Sequence, residues 1–206
     1  MACLMRKCSD EFLQLVLESY KMEPRNLGEY LCHAASRNKM KTADCLLKLG
    51  AKMETKGYDI KTPLHLAVIC NHLSMVAFLL DKGAEFDASG DSSRTALHAA
   101  ALYGYLNRAE LLFSRGASID AATEDEKTPL APAVTSTHWR PTKGEQRNMV
   151  EFLQGKGADV IWLDAKSLGR LDQISSESYG PPWQSVPQDI IHGILEDAAP
   201  YSIYLP

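Results

Sequence analysis

"KTPLHLAVICNH", Lys61 to His72, sets His65, Cys70 and His72 close together in sequence. Such a cluster fits a metal or nucleophile site, or a fold built from residues that only look reactive. The flanking sequence weighs the two. Thr62-Pro63-Leu64-His65 returns as Thr95-Ala96-Leu97-His98 and again, after an equal step, as Thr128-Pro129-Leu130-Ala131. The same register, run backwards, meets Glu29-Tyr30-Leu31-Cys32. Leucine then holds 31, 64, 97 and 130, and alanine holds 34, 67, 100 and 133. A second landmark keeps step: Gly50-Ala51, Gly83-Ala84 and Gly116-Ala117, then Gly157-Ala158 after a short insertion. A fixed period in the range of about 20–50 residues marks stacked supersecondary units.

Each unit reads as helix–turn–helix. Thr62 suits an N-cap, its hydroxyl accepting from the free first-turn amides, and Pro63 suits the first helical position, where no amide partner is lost. Leu64 and Ala67 share a face, the alanine letting a neighbouring helix approach. The helix is expected to stop near Asn71, whose counterparts are Asn38 and Gly104, residues at ease in the left-handed conformation. A second helix follows, as over Leu73 to Leu80, with Leu79 matching Leu46, Leu112 and Leu153. Helices this short do not persist alone and are stable only stacked on copies of themselves.

The repeat spacing, the TPLH tetrapeptide, the Gly-Ala after the second helix and the "LLDKGAEFDA" segment resemble ankyrin repeats. The resemblance implies an all-α solenoid with β-hairpin-like fingers. Four repeats are expected at 26–58, 59–91, 92–124 and 125–165, which together span 26–165. A degenerate N-terminal cap is expected over 1–25 ("DEFLQLVLESY", Asp10 to Tyr20) and a degenerate C-terminal cap with a proline-rich tail over 166–206. Asp164 to Ile174 is a candidate fifth inner helix.

The pattern is broken in places. The glycine that the family usually carries in the finger turn is replaced by Leu27, Ile60, Ser93 and Glu126, so turns differing in detail are expected. In repeat four Ala131 replaces the motif histidine, Pro132 enters the inner helix, and Gln154 stands where Leu47, Leu80 and Phe113 stand. The extra residues fall around Thr135 to Gln146. They read either as a tolerated surface insertion or as a binding loop using Trp139 and Arg140, residue types over-represented among interface anchors. Beyond Ser175 the period is lost, and Val186 to Ala198 reads as a short amphipathic helix capping the last repeat. That helix faintly resembles the start of an F-box, which gives a ubiquitin-ligase adaptor as one alternative. The stretch from Pro187 to Pro206 is too short for the rest of such a domain.

The totals exclude some classes. Charged residues at 23% and a formal net charge of −4 give no support to direct nucleic-acid or anionic-membrane binding, which usually needs a basic face. The apolar run from Phe12 to Leu17 is too short to span a membrane or serve as a signal. Cys3, Cys8, Cys32, Cys45 and Cys70 are odd in number and read as reduced thiols, so a cytoplasmic or nuclear location is expected.

The chemistry is weighed the same way. His65 recurs as His98 at the third helical position, where it can tie turn to helix. Equivalent residues in stacked repeats lie about 10 Å apart, too far to share one zinc ion. Cys70 and His72 flank a helix end, yet no orienting group, nucleophile elbow or zinc spacing accompanies them. No catalytic residue, cofactor or metal is therefore assigned. An enzyme using His138 in the insertion, or the Cys70/His72 pair, remains as the rival class.

What the resemblance implies instead is a monomer that offers a concave face to another protein. Its usual contact positions fall on Arg25 and Asn26 in the first finger and on Tyr58, Asp59 and Lys61 in the second. Asp91, Ser92 and Arg94 follow in the third, and Glu124, Asp125 and Lys127 in the fourth. Inner-helix ends add Ser36, Arg37, Ile69, Cys70, Leu102 and Tyr103. Ile69, Cys70, Leu102 and Tyr103 make an apolar patch that the framework does not require. The finger segments grow more acidic along the chain, from +1 over 21–28 to −3 over 120–127, which suits either solvated turns or a partner more basic toward the C-terminal repeats.

Overall fold

The computed structural model describes residues 24–57, 60–135 and 142–176, and among these it is helical with no strand. The helices are α1 (Pro24–Ser36), α2 (Met40–Lys48), α3 (Pro63–Ile69), α4 (Leu73–Asp81), α5 (Ala96–Tyr103), α6 (Leu106–Ser114), α7 (Leu130–Thr135), α8 (Lys143–Gly155) and α9 (Ala165–Ser176). Short 3-10 turns stand at Asp91–Ser93 and Val160–Trp162. The odd-numbered helices stack as an inner row, each packed on the next, and α2, α4, α6 and α8 back them as an outer row.

The periodic landmarks are the core. Leu31, Leu64, Leu97 and Leu130, with Leu46, Leu79, Leu112 and Leu153, are fully buried, and Ala34, Ala67, Ala100 and Ala133 lie between them. Inner helices end as expected, with Asn38 at φ 57°, Asn71 at φ 64° and Gly104 at φ 67°. The amides of Lys39, His72 and Tyr105 then reach back to Ala34, Ala67 and Ala100. Outer helices end with Gly50, Gly83, Gly116 and Gly157 at φ between 90° and 103°. The amides of Ala51, Ala84, Ala117 and Ala158 donate to the carbonyls of Leu46, Leu79, Leu112 and Leu153. This closing bond is the Schellman motif, and it explains why glycine and alanine recur as a pair.

The fingers share one closing bond without the usual glycine. The amides of Gly57, Gly90 and Thr123 donate to the carbonyls of Lys61, Arg94 and Lys127 at 3.1, 2.7 and 3.0 Å. Ile60 (φ 53°), Ser93 (φ 58°) and Glu126 (φ 58°) hold the left-handed conformation themselves. The fingers differ in detail: the amides of Ile60 and Glu126 donate to the carbonyls of Gly57 and Thr123, whereas in the third finger Ser92 (φ 52°) is left-handed as well and the Arg94 amide donates to Asp91. The strain falls on side-chain-bearing residues, heaviest for β-branched Ile60.

Other differences have local causes. Arg25 and Asn26 are in the first turn of α1, which begins at Pro24, so they lie on a helix and not on a finger. Proline pre-set for a helix start moves the boundary ahead of the repeat register. The Thr62 hydroxyl makes no cap bond to the helix amides and instead meets His65. In repeat four Pro132 has no amide to give Thr128, so α7 starts through Ala131 donating to Thr128 at 3.0 Å and is the shortest of the α-helices described. Part of the insertion is helix: Thr142 caps α8 in a capping box with Glu145, and Gln146 donates to the carbonyls of Ala133 and Val134. The C-terminal helix read over Val186 to Ala198 lies outside the described residues.

Candidate functional site

Three inner helices, α1, α3 and α5, are each tied to the finger that follows. The Nδ1 of His65 lies 2.8 Å from the Thr62 hydroxyl and its Nε2 lies 2.9 Å from the Arg94 carbonyl. One repeat later, His98 Nδ1 lies 3.0 Å from the Thr95 hydroxyl and 3.2 Å from the Thr95 amide, and Nε2 lies 2.9 Å from the Lys127 carbonyl. An amide aimed at Nδ1 and a carbonyl at Nε2 fit the neutral tautomer protonated on Nε2. Burial holds both histidines below the ordinary range. Cys32 takes the same role in the first repeat, with Sγ donating to the carbonyls of Thr55 and Lys61. Burial pushes its thiol up to about 11.

The two histidine ties lie along a groove of about 540 Å³ lined by His65, Arg94, Thr95, His98 and Lys127, whereas Cys32 is outside it. The groove brings together nine of the contact positions read from sequence: Lys61, Ile69, Asp91, Ser92, Arg94, Leu102, Tyr103, Asp125 and Lys127. Ile69, Leu102 and Tyr103 are half-buried, and the Tyr103 ring stacks on Tyr105 with centroids 5.6 Å apart. Glu124 is exposed on the fourth finger, outside the lining, and accepts the Ser93 hydroxyl at 2.9 Å. Arg37 and Cys70 are exposed at inner-helix ends, also outside the lining. Tyr58, Asp59, Trp139, Arg140 and His138 lie outside the described residues, and with them residues 136–141 of the insertion, on which its enzyme alternative rests.

The far end of the groove escaped the sequence reading. Ile161, Leu163 and Asp164 close it beside Pro132. Asp164 is the N-terminal capping residue of α9, accepting the Ser167 amide at 2.7 Å, and hydrogen bonding from Ser167, its side chain more than its amide, keeps the Asp164 carboxyl below the usual range. In the earlier repeats the closing glycine and the capping threonine are evenly spaced, as Gly50 and Thr62, Gly83 and Thr95, and Gly116 and Thr128, whereas Gly157 and Asp164 stand closer together. That short finger breaks the register by which the other contact positions were found.

A second ladder was also missed. Glu54 accepts the Glu85 amide at 2.9 Å, Asp87 the Ser118 amide at 3.1 Å, and Asp120 the Asp159 amide at 3.0 Å. Three of the acids that made the fingers look increasingly negative therefore splice one repeat to the next. Their recurrence at the repeat period was the available signal.

The two members of the reactive-looking pair have different surroundings. His72 Nε2 lies 3.2 Å from the Ser36 carbonyl, and burial raises the Cys70 thiol against the opposing pull of Arg37. Neither effect makes a thiolate nucleophile. Among the described residues no group of three or more His, Cys, Asp or Glu is placed to hold a metal, and no helix is long and apolar enough to cross a membrane.

A family model described as ankyrin repeats (3 copies) matches residues 1–90, and one described as ankyrin repeats (many copies) matches residues 71–113. The first match reaches into residues 1–25, and the helix pairs continue the same architecture past residue 113. A comparison with curated proteins found no match. Period, helix ends, histidine ties and both family matches agree: this chain is an ankyrin-repeat protein.

Proposed function

We propose that the chain is a non-catalytic adaptor, inhibitor or transcription coregulator, acting as a monomer in the cytoplasm or nucleus. Another protein docks in its concave groove. Ankyrin repeats generally mediate protein–protein interaction. The observation carrying the proposal here is that Ile69, Leu102 and Tyr103, which stacking does not demand, line one open groove. A tyrosine flanked by aliphatic side chains at the centre of a groove suits an interface anchor. Around them Lys61 and Arg94 outweigh Asp91, while Asp125, Glu126 and Asp164 outweigh Lys127. A partner more basic toward the C-terminal repeats would be steered and oriented by that polarity, with most affinity coming from the apolar centre.

The test is capture of partners from extract by the wild type beside Tyr103→Ala/Asp125→Lys/Glu126→Lys. Glu124 is left intact because Ser93 holds it. Loss of captured protein with an unchanged unfolding midpoint supports the docking face. Undiminished capture sinks it.

A further inference from the structure

Resting on that docking reading, we infer that the C-terminal end of the groove is a subsite for a single arginine or lysine side chain of the partner. Two departures from the repeat open it. Ala131 stands in the groove where His65 and His98 stand in the preceding repeats, and the finger beyond is shorter, running Gly157 to Asp164 against Gly116 to Thr128. The consequence of the first shows in the hydroxyl behind it. Thr62 and Thr95 each bond theirs to the motif imidazole, whereas the fully buried Thr128 hydroxyl has no partner among the described residues. That hydroxyl marks the loss of the ring, although Thr128 itself lies behind the groove lining.

The surroundings suit a cation on an apolar stem. Pro132, Ile161 and Leu163 offer an aliphatic floor, and Ile161 is 44% exposed although it lines the groove. Long basic side chains lay their methylenes on such surface and keep the charge at its edge. At that edge stand the carboxylates of Asp125, Glu126 and Asp164, opposed by Lys127 alone among the lining residues at this end. A guanidinium fits best, because its planar fork engages a carboxylate through two bonds. The opposite end, with Lys61 and Arg94, disfavours the same group and so fixes the direction in which a bound segment runs.

The probe is N-acetyl-arginine methylamide titrated at low salt into the 15N-labelled full chain and followed by backbone amide shifts. Saturable shifts at Ala131, Leu163, Asp164 and Ser167 are expected. Binding should be roughly tenfold weaker for the uncharged N-acetyl-glutamine methylamide and in Asp125→Asn/Asp164→Asn. Asparagine still caps a helix, so α9 is kept. Ala131→His should block the subsite without altering a carboxylate. Shifts spread over carboxylates on the outer helices, or unchanged in both variants, overturn the subsite. Tyr103 takes no part in this readout, so its failure leaves the docking reading standing. That reading falls separately if Tyr103→Ala/Asp125→Lys/Glu126→Lys still captures every partner.

Discussion

Replacing His98 with alanine removes the tie between α5 and the fourth finger, and the cost can be worked from its contacts. The ring is 2% exposed. Its loss strands the Thr95 hydroxyl, leaves the Thr95 amide without its Nδ1 acceptor, and frees the Lys127 carbonyl. A buried polar group left unsatisfied costs about 1–3 kcal/mol, and the hole left by the ring adds to it. The carbonyl belongs to an exposed residue and regains water, so the stranded Thr95 groups plus the hole remain, roughly 3 kcal/mol in all. Urea unfolding of the full chain measures this as a lowered midpoint at unchanged slope. The reciprocal change, Ala131→His, gives Thr128 the partner that it lacks among the described residues and should raise stability by about 1 kcal/mol. Acid provides a second axis. Both histidines titrate below their ordinary 6.5 because burial penalises the charged ring. The unfolded chain therefore takes up protons first as pH falls, and the stability that is full above about 6.5 is lost toward the lowered folded values. The slope is at most about 1.4 kcal/mol per pH unit for each histidine. His98→Ala should cut it to about half. A midpoint within about 0.5 kcal/mol of wild type, the range of ordinary surface changes, together with an unaltered pH slope, would refute the reasoning.

Ile60→Gly should stabilise the chain. The left-handed conformation costs a β-branched residue roughly 1–2 kcal/mol, glycine gives back about 0.5–1 kcal/mol through the unfolded state, and the net is roughly 0.5–1 kcal/mol. Ile60 is 51% exposed, so little burial is lost, and a fall in the thermal midpoint would contradict the turn assignment. Asp120→Ala removes the acceptor for the Asp159 amide and should cost about 0.5–1.5 kcal/mol. Faster amide exchange at Asp159 and Ile161 is the accompanying sign, and unchanged exchange would show that the acidic ladder does not splice the repeats.

What could be read from sequence follows from what repeats. Leu31, Leu64, Leu97 and Leu130 are legible because every copy must bury the same position, and the Gly-Ala pair because every outer helix must end in the same way. The groove centre was legible by register too, since Ile69, Leu102 and Tyr103 sit where inner helices end. Positions that depart from the period were opaque. Pro24 starts α1 ahead of register and takes Arg25 off the finger. The short span from Gly157 to Asp164 hid the residues that close the groove. Finger chemistry was legible only in part: the missing glycines mark turns held by left-handed side-chain-bearing residues, but not that the third finger would set both Ser92 and Ser93 left-handed while the second and fourth use Ile60 and Glu126 alone. Net charge along a finger likewise could not separate Asp87 and Asp120, which hold backbone amides, from Asp125, which lines the groove.

Hydrogen–deuterium exchange of the chain alone and bound to a captured partner tests the docking face most directly. The account predicts new protection over Asp91 to Tyr103 and Glu124 to Pro132, with α6 (Leu106–Ser114) and α8 (Lys143–Gly155) unchanged. Protection confined to α6 and α8 would place the partner on the outer row and contradict it.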